Sequence, residues 1–255
     1  MHYNRKPEPR NFDNILFGLH PMLEAIKAGR ELDKVMLQDG AQGELIKELK
    51  ALLTKHNIPY QYVPVEKLNR ITSKNHQGVI AFVSEVTYQS IENIVPEIFE
   101  RGEIPLLLLL DRVTDVRNTG AIIRTAECAG VQAIIIPARG SAQLNADAVK
   151  TSAGALHTIP ICRENNLKET IHYLKECGIQ IIGCTEKTED YLYKVDFAQP
   201  TCIVMGSEED GISSEYLKLC DARAKIPMHG KISSLNVSVS AGVILYEAVR
   251  QREAS

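Results

Sequence analysis

The chain has 255 residues, with 29 Lys+Arg against 32 Asp+Glu and a formal net charge of -3. Hydrophobic residues make up 44% and charged residues 24%, the balance of a soluble globular protein, which excludes disorder over most of the length. The longest apolar run, Leu106–Leu110, is far short of the ~20 residues that cross a bilayer, and the acidic balance argues against nucleic-acid binding by bulk positive charge.

The opening MHYNRKPEPR is polar, carries no apolar segment of signal-peptide type, and reads with its neighbours as a mobile tail over residues 1–13. Residues 14–86 read as a small α/β domain. Gly18 to Ile26 is a helix with Pro21 near its first turn, and Leu32 to Gln38 is a strand. Between Glu44 and His56, Leu45, Ile46, Leu49, Leu52 and Leu53 recur at helical spacing. Ile58 to Val63 and Val79 to Val86 are β-rich runs bounded by Pro and Gly. Residues 87–104 read as a linker with one amphipathic stretch, Ile91 to Phe99, interrupted by Pro96.

A second α/β domain is expected over 105–255. Its first run, Leu106 to Leu110, is continuously apolar, as suits a strand covered on both faces of a parallel sheet. Further strand-like runs at 133–136, 179–183, 202–205 and 224–227 alternate with helical segments, which predicts a mostly parallel sheet with helices on both faces. The last helix starts near Asn236, with Ala241, Ile244, Leu245, Ala248 and Val249 on one stripe. The six cysteines, all beyond residue 127 and without a CxxC pair, read as reduced thiols of a cytoplasmic protein, most of them small buried hydrophobes. No metal-site spacing is present.

Three strand ends carry dense polar and glycine content, where open α/β sheets bind ligands. The first runs from Asp111 through Asn118, Gly120 and Arg124. Asn118 and Arg124, six apart, are expected near the first turn of one helix, with Gly120 letting another backbone approach. The second is Met205-Gly206-Ser-Glu208-Glu-Asp-Gly211, and the third is Ile226-Pro-Met228 through Ser234-Leu235-Asn236-Val-Ser238. Each has a plainer reading: turn glycines at 206 and 211, helix caps at Asn236 and above all Ser238, a solvated Arg124. P-loop, GxGxxG and GxSxG signatures are absent. His229 with Ser233 or Ser234 invites a hydrolase reading, but no orienting acid is evident.

Asn118-Thr-Gly-Ala-Ile-Ile-Arg124-Thr-Ala, Met205-Gly-Ser-Glu208-Glu-Asp-Gly211 and Ile226-Pro-Met…Ser234-Leu-Asn236-Val-Ser-Val resemble, in order and spacing, the three signature motifs of the SpoU/TrmH family. These are S-adenosylmethionine-dependent RNA ribose 2'-O-methyltransferases of the SPOUT superfamily. Residues 14–86, with Phe17-Gly18-Leu-His-Pro-Met-Leu-Glu-Ala-Ile and Asn75-His-Gln-Gly78-Val, are similar to the family's ribosomal-protein-L30-like substrate-binding domain. Val116-Arg117 stands where the family often has Pro-His. The resemblance is strongest to bacterial members that methylate a guanosine of large-subunit ribosomal RNA.

The resemblance implies a C-terminal SPOUT α/β domain with a trefoil knot and a homodimer that completes the site. It implies donor binding by Thr185, Met205, Gly206, Ile226, Met228, Ser234 and Leu235, and catalytic roles for Asn118, Arg124, Glu208, Ser234 and Asn236. Arg124 is a poor base, since its pKa exceeds ~12, and is expected to grip a phosphate and steady charge on the 2'-oxygen. Glu208 is expected beside Arg124, fixing its fork or accepting the proton. Arg112 and Arg117 are expected to add phosphate contacts around the first motif. Residues 1–87 hold 12 basic against 10 acidic side chains and residues 88–255 hold 17 against 22, an asymmetry of the right sign for RNA on the first domain. A transfer-RNA substrate, or an RNA-binding module of the same fold without catalysis, remain the alternatives.

Overall fold

The structure, a computed structural model, describes residues 15–232 and 234–254, so the tail expected over 1–13 lies outside the described residues. The chain divides at Ser84/Glu85 into two compact units.

In the first unit the elements are β1 (Ile15–Phe17), α1 (Leu19–Lys27), β2 (Leu32–Gln38), α2 (Glu44–Lys55), β3 (Tyr60–Val63), α3 (Val65–Ile71) and β4 (Val79–Val83). The four strands form one sheet in the order β1-β4-β2-β3, with β2 and β3 parallel and the other pairs antiparallel. One face packs Val35, Leu37, Val79 and Ala81 against Met22, Leu23, Leu49 and Leu53 of α1 and α2. The other face carries Met36, Ile80 and Val63 with Leu68 of α3. Helix α2 falls where the spacing of its leucines puts it, because that spacing gives one apolar stripe, and α1 starts at Leu19 with Pro21 in its first turn, as expected.

The second unit contains β5 (Tyr88–Gln89), α4 (Ile91–Glu100), β6 (Leu106–Leu110), α5 (Val116–Cys128), β7 (Ala133–Pro137), α6 (Ala146–Thr151), β8 (Ile161–Glu164), α7 (Leu167–Glu176), β9 (Gln180–Cys184), β10 (Thr201–Met205), α8 (Ser214–Leu217), β11 (Ala222–Ala224) and α9 (Val237–Glu253). Its seven-stranded sheet runs β11-β9-β10-β6-β7-β8-β5, and every pair is parallel. The leucine run of β6 lies at its centre. Leu106, Leu108 and Leu110 pack with Ile122, Ile123, Ile244 and Leu245, while Leu107 and Leu109 pack with Ile94, Ile98, Ile171 and Leu174. Helices therefore cover both faces, as the continuous apolar run requires.

Residues 88–100, read from the sequence as linker, form β5 and α4 of this unit. Ser90 caps α4 by accepting the Glu92 N–H, and Ile91, Ile94, Val95 and Ile98 are buried. The amphipathic stretch seen in the sequence is thus a packed helix of this unit, with Pro96 accommodated inside it. At the far end, the Arg252 guanidinium donates to the carbonyls of Ile104, Pro105, Phe197 and Gln199. It ties α9 to the segments that lead into β6 and β10.

Strand order reverses between β6 and β10, which are neighbours in the sheet but far apart in sequence. Such a switch opens a crevice beyond the strands' carboxyl ends. The chain's polar clusters converge there.

Candidate active site

A cavity of about 520 Å³ opens at the carboxyl ends of β9, β10 and β11 and against the first turns of α9. That volume is in the range of small-molecule sites. Thr185, Met205, Gly206, Ile226, Met228, Ser234 and Leu235 all line it, together with Glu208 and Asn236. Lining residues not singled out from sequence include Glu186, two residues past β9, and Lys225, the residue after β11. Met205 and Thr185 are buried in its wall, whereas Met228 and Leu235 leave more than a third of their surface open, 38% each. Ser234 has no hydrogen-bond partner among the described residues.

The wall formed by residues 206–211 is a tight turn. The Gly211 N–H donates to the Ser207 carbonyl at 3.0 Å, and the Asp210 N–H to Ser207 Oγ at 3.1 Å. Gly206 is required because its Cα faces the Gly211 backbone; a Cβ there would overlap it. Gly211 itself has φ +71°, in the left-handed region that favours glycine. Both glycines have reasons beyond an ordinary turn.

The turn is also held from β6. Asp111, buried at the end of that strand, donates its N–H to the Met205 carbonyl at 2.7 Å. One carboxylate oxygen, Oδ2, accepts from Ser213 N at 2.7 Å and Ser213 Oγ at 2.6 Å. Arg112 follows at φ +58° and donates Nε to Asp111, Nη1 to Asp210 at 3.0 Å and Nη2 to the Gly211 carbonyl at 3.1 Å. Its guanidinium, beside Asp111, is held even more firmly in the charged form than usual. Arg112 is therefore engaged inside the protein and does not offer the free phosphate contact expected of it.

Asn236 caps α9: its Oδ1 accepts from Ser238 N at 3.0 Å and Val239 N at 3.4 Å, and from Ser238 Oγ at 2.6 Å. The cap is Asn236 rather than Ser238. Its other amide atom, Nδ2, donates to Glu208 Oε1 at 2.6 Å and to Asn118 Oδ1 at 3.0 Å. Glu208 Oε1 also accepts the Val237 N–H at 3.3 Å. Capping fixes which way the amide points, so residues from all three clusters meet at one side chain. Asn118 is positioned in turn by Asp115, the cap of α5, which accepts the Asn118 N–H at 2.7 Å.

Arg124 does not join this chain of contacts. It is exposed, has no hydrogen-bond or ion-pair partner among the described residues, and does not line the cavity. Glu208 pairs with Asn236 instead of Arg124. The reason is helical geometry: six residues advance about 9 Å along the axis and turn about 240°, so Asn118 and Arg124 occupy different sides and different turns of α5. Gly120 does admit a close neighbour, since a Cβ there would stand 2.9 Å from the Ala148 carbonyl of α6. His229 is exposed without an acid partner among the described residues, and Ser233 lies outside them; the described residues assemble no hydrolase triad. Among the described residues no cluster of His, Cys, Asp or Glu fits a metal ion, and no helix is long and apolar enough to cross a membrane.

Comparison with known proteins identifies the family. Residues 105–246 match the SpoU rRNA Methylase family, and residues 15–89 match the domain described as RNA 2'-O ribose methyltransferase substrate binding. The chain is 38% identical over 239 residues to the 23S rRNA (guanosine-2'-O-)-methyltransferase RlmB of Pseudomonas aeruginosa, covering 93% of this chain and 96% of that protein. It is 34% identical over 237 residues to the putative TrmH family tRNA/rRNA methyltransferase YacO of Bacillus subtilis, covering 93% and 95%. Among solved structures, the SpoU methyltransferase AviRb from Streptomyces viridochromogenes in complex with AdoMet superposes with a TM-score of 0.61 at 28% identity, covering 94% of this chain and 91% of that one. With one family model spanning the larger unit and the other the smaller, the chain belongs to the SpoU rRNA methylase family.

Proposed function

We propose that this protein transfers a methyl group from S-adenosylmethionine to the ribose 2'-hydroxyl of a guanosine in large-subunit (23S) ribosomal RNA. The observation that carries the reading is the convergence of Asn118, Glu208 and Asn236 at the rim of the strand-end cavity. The cavity's chemistry fits the donor. Met205, Ile226, Met228 and Leu235 offer apolar surface for an adenine, and the open faces of Met228 and Leu235 are the kind a ligand covers. Glu186, Glu208 and Glu209 supply negative charge toward a sulfonium. Gly206 keeps the wall free of a side chain at the turn.

When bound, the donor supplies an electrophilic methyl group on a good leaving group. The chain's task is then to position and activate a weak, neutral hydroxyl. Asn236 orients Glu208 through Oε1, and Glu208 Oε2 has no partner among the described residues, which leaves it open to accept the hydroxyl proton. Asn118 and Ser234 orient by hydrogen bonding. Arg124, unpaired, grips the adjacent phosphate with its fork and steadies charge developing on the 2'-oxygen.

Arg124 reaches a cavity through association of two copies. Helices α5 and α9 pack on each other, and α9 exposes Val239, Val243 and Tyr246 at i, i+4 and i+7, a second apolar stripe besides the buried one. A homodimer covers that stripe and sets Arg124 of one copy against the cavity of the other. The reading also includes a trefoil knot in the polypeptide that walls the cavity, and action in the cytoplasm. The first unit contacts RNA, supported by its match to the domain described as RNA 2'-O ribose methyltransferase substrate binding.

Incubation with labelled donor and total RNA from cells lacking this gene tests the whole. Label in a guanosine of large-subunit RNA is the expected result. Label in transfer RNA would overturn the substrate, and donor binding without label in any RNA would leave a binding module.

A further inference from the structure

We infer that Arg112 is a positioning residue for the methyl donor, a clamp that holds the 206–211 wall of the cavity in its binding shape. The inference rests on the donor occupying that cavity. One guanidinium reaches three anchors: Asp111 at 3.2 Å, Asp210 at 3.0 Å and the Gly211 carbonyl at 3.1 Å. Its aim depends on a backbone at φ +58°, a conformation that L side chains with a long stem adopt rarely. Asp111 is the fixed end of the clamp. It is 2% exposed, hydrogen-bonded to Ser213, and its N–H is bound to Met205, the last residue of β10 before the turn.

The turn's own contacts are few. Besides the two Ser207 hydrogen bonds, Glu208 Oε1 accepts from Asn236 Nδ2 and the Val237 N–H, and Lys187 Nζ reaches the Asp210 carbonyl at 3.4 Å; none of these holds the Asp210 side chain. Asp210 is largely exposed, so without Arg112 nothing charged restrains its side chain among the described residues. The wall presents Gly206, Ser207, Glu208 and Glu209 to the cavity. A turn that samples other shapes binds ligand only from the competent fraction, and affinity falls by that fraction.

Two variants separate the clamp from the fold. Arg112→Gly keeps the left-handed backbone at no steric cost and removes the guanidinium; Asp210→Ala removes the exposed anchor alone. Calorimetric titration of the full chain with S-adenosylhomocysteine reads donor-site affinity without catalysis, and RNA affinity is measured beside it. Arg112→Gly is expected to weaken S-adenosylhomocysteine binding by about tenfold or more, as loss of charge-assisted hydrogen bonds does, with RNA affinity unchanged. Asp210→Ala is expected to show a smaller loss in the same direction, and Arg112→Lys to recover part of it. Wild-type affinity in both Arg112→Gly and Asp210→Ala overturns the clamp, as does an equal loss of RNA affinity. If Arg112→Gly does not fold, Asp210→Ala decides alone. A wild-type chain that binds no S-adenosylhomocysteine overturns the donor reading and the clamp together, whereas failure of the variants alone leaves the donor reading standing.

Discussion

The backbone of Gly206 rests on that of Gly211: a Cβ at 206 would stand 2.0 Å from the Gly211 carbonyl carbon and 2.2 Å from its oxygen. No side-chain movement relieves such an overlap, because the atoms met are backbone, the Gly211 carbonyl and the Ile212 nitrogen. Gly206→Ala is expected to force the turn apart, at a cost of about 1–3 kcal/mol in stability, and to abolish binding of S-adenosylhomocysteine. Thermal melting and calorimetric titration check both parts. Unchanged affinity in this variant removes the close approach from the account of the cavity.

Asn236 does two things with two ends of one amide, and substitution by Asp divides them. Asp caps a helix as well as Asn, so the cap of α9 should survive, and any stability lost should come from repulsion between the new carboxylate and Glu208. The Nδ2 donor is lost, and a second carboxylate meets Glu208. Methyl transfer should fall by roughly 100-fold, the scale of removing one positioned donor from a reaction site. A stability loss that accounts for the whole effect would reduce Asn236 to a cap.

Arg124→Lys keeps the charge and loses the fork. Because Arg124 has no partner within the chain, melting temperature should not change measurably. Single-turnover methyl transfer should drop by about 100-fold, with donor affinity intact. A near-normal rate would refute bidentate phosphate contact.

Val239→Glu and Tyr246→Glu place charges on the exposed stripe of α9 and should leave the buried stripe, Ala241, Ile244, Leu245 and Ala248, undisturbed. Sedimentation should show monomers that bind S-adenosylhomocysteine and methylate no RNA. Monomers that remain fully active would show that Arg124 serves a cavity of its own copy.

Glu164 gives a pH dependence of stability. Burial raises its pKa above the ordinary 4.5, and the Ile91 N–H opposes that shift without cancelling it. Its protonated form is thus the one folding favours. That contribution is present in full below pH 4.5 and is lost as pH rises through the higher folded-state value. Glu164→Gln should flatten the stability curve across this window, as read by urea denaturation at several pH values. An unaltered curve would show that Glu164 titrates alike in both states.

Much of the fold was legible because burial on two faces leaves a plain mark. Leu106–Leu110 has no polar alternation and lies at the sheet's centre; α9 shows its apolar stripe at helical spacing. Strands β5 and β8 left little trace, since Tyr88-Gln89 is a two-residue edge strand and Ile161-Cys-Arg-Glu164, paired between β7 and β5, is half polar. At the site, the three polar clusters were visible but their pairings were not. Nothing near Arg112 in sequence announces Asp210, 98 positions on, and a left-handed backbone at a non-glycine residue has no local signature. Glu208 was expected beside Arg124 because both are charged. The capping geometry of Asn236 instead draws it to the head of α9.

The solitude of Arg124 has a consequence for ionic strength. An arginine already paired with a carboxylate must break that pair before it meets RNA, and little counter-ion is set free. Arg124, facing only solvent, meets a phosphate with nothing to surrender but its hydration, so each contact expels a cation from the RNA's own atmosphere. Removing this one side chain should lower the slope of log RNA affinity against log salt by about 0.7, the increment of a single phosphate on single-stranded nucleic acid.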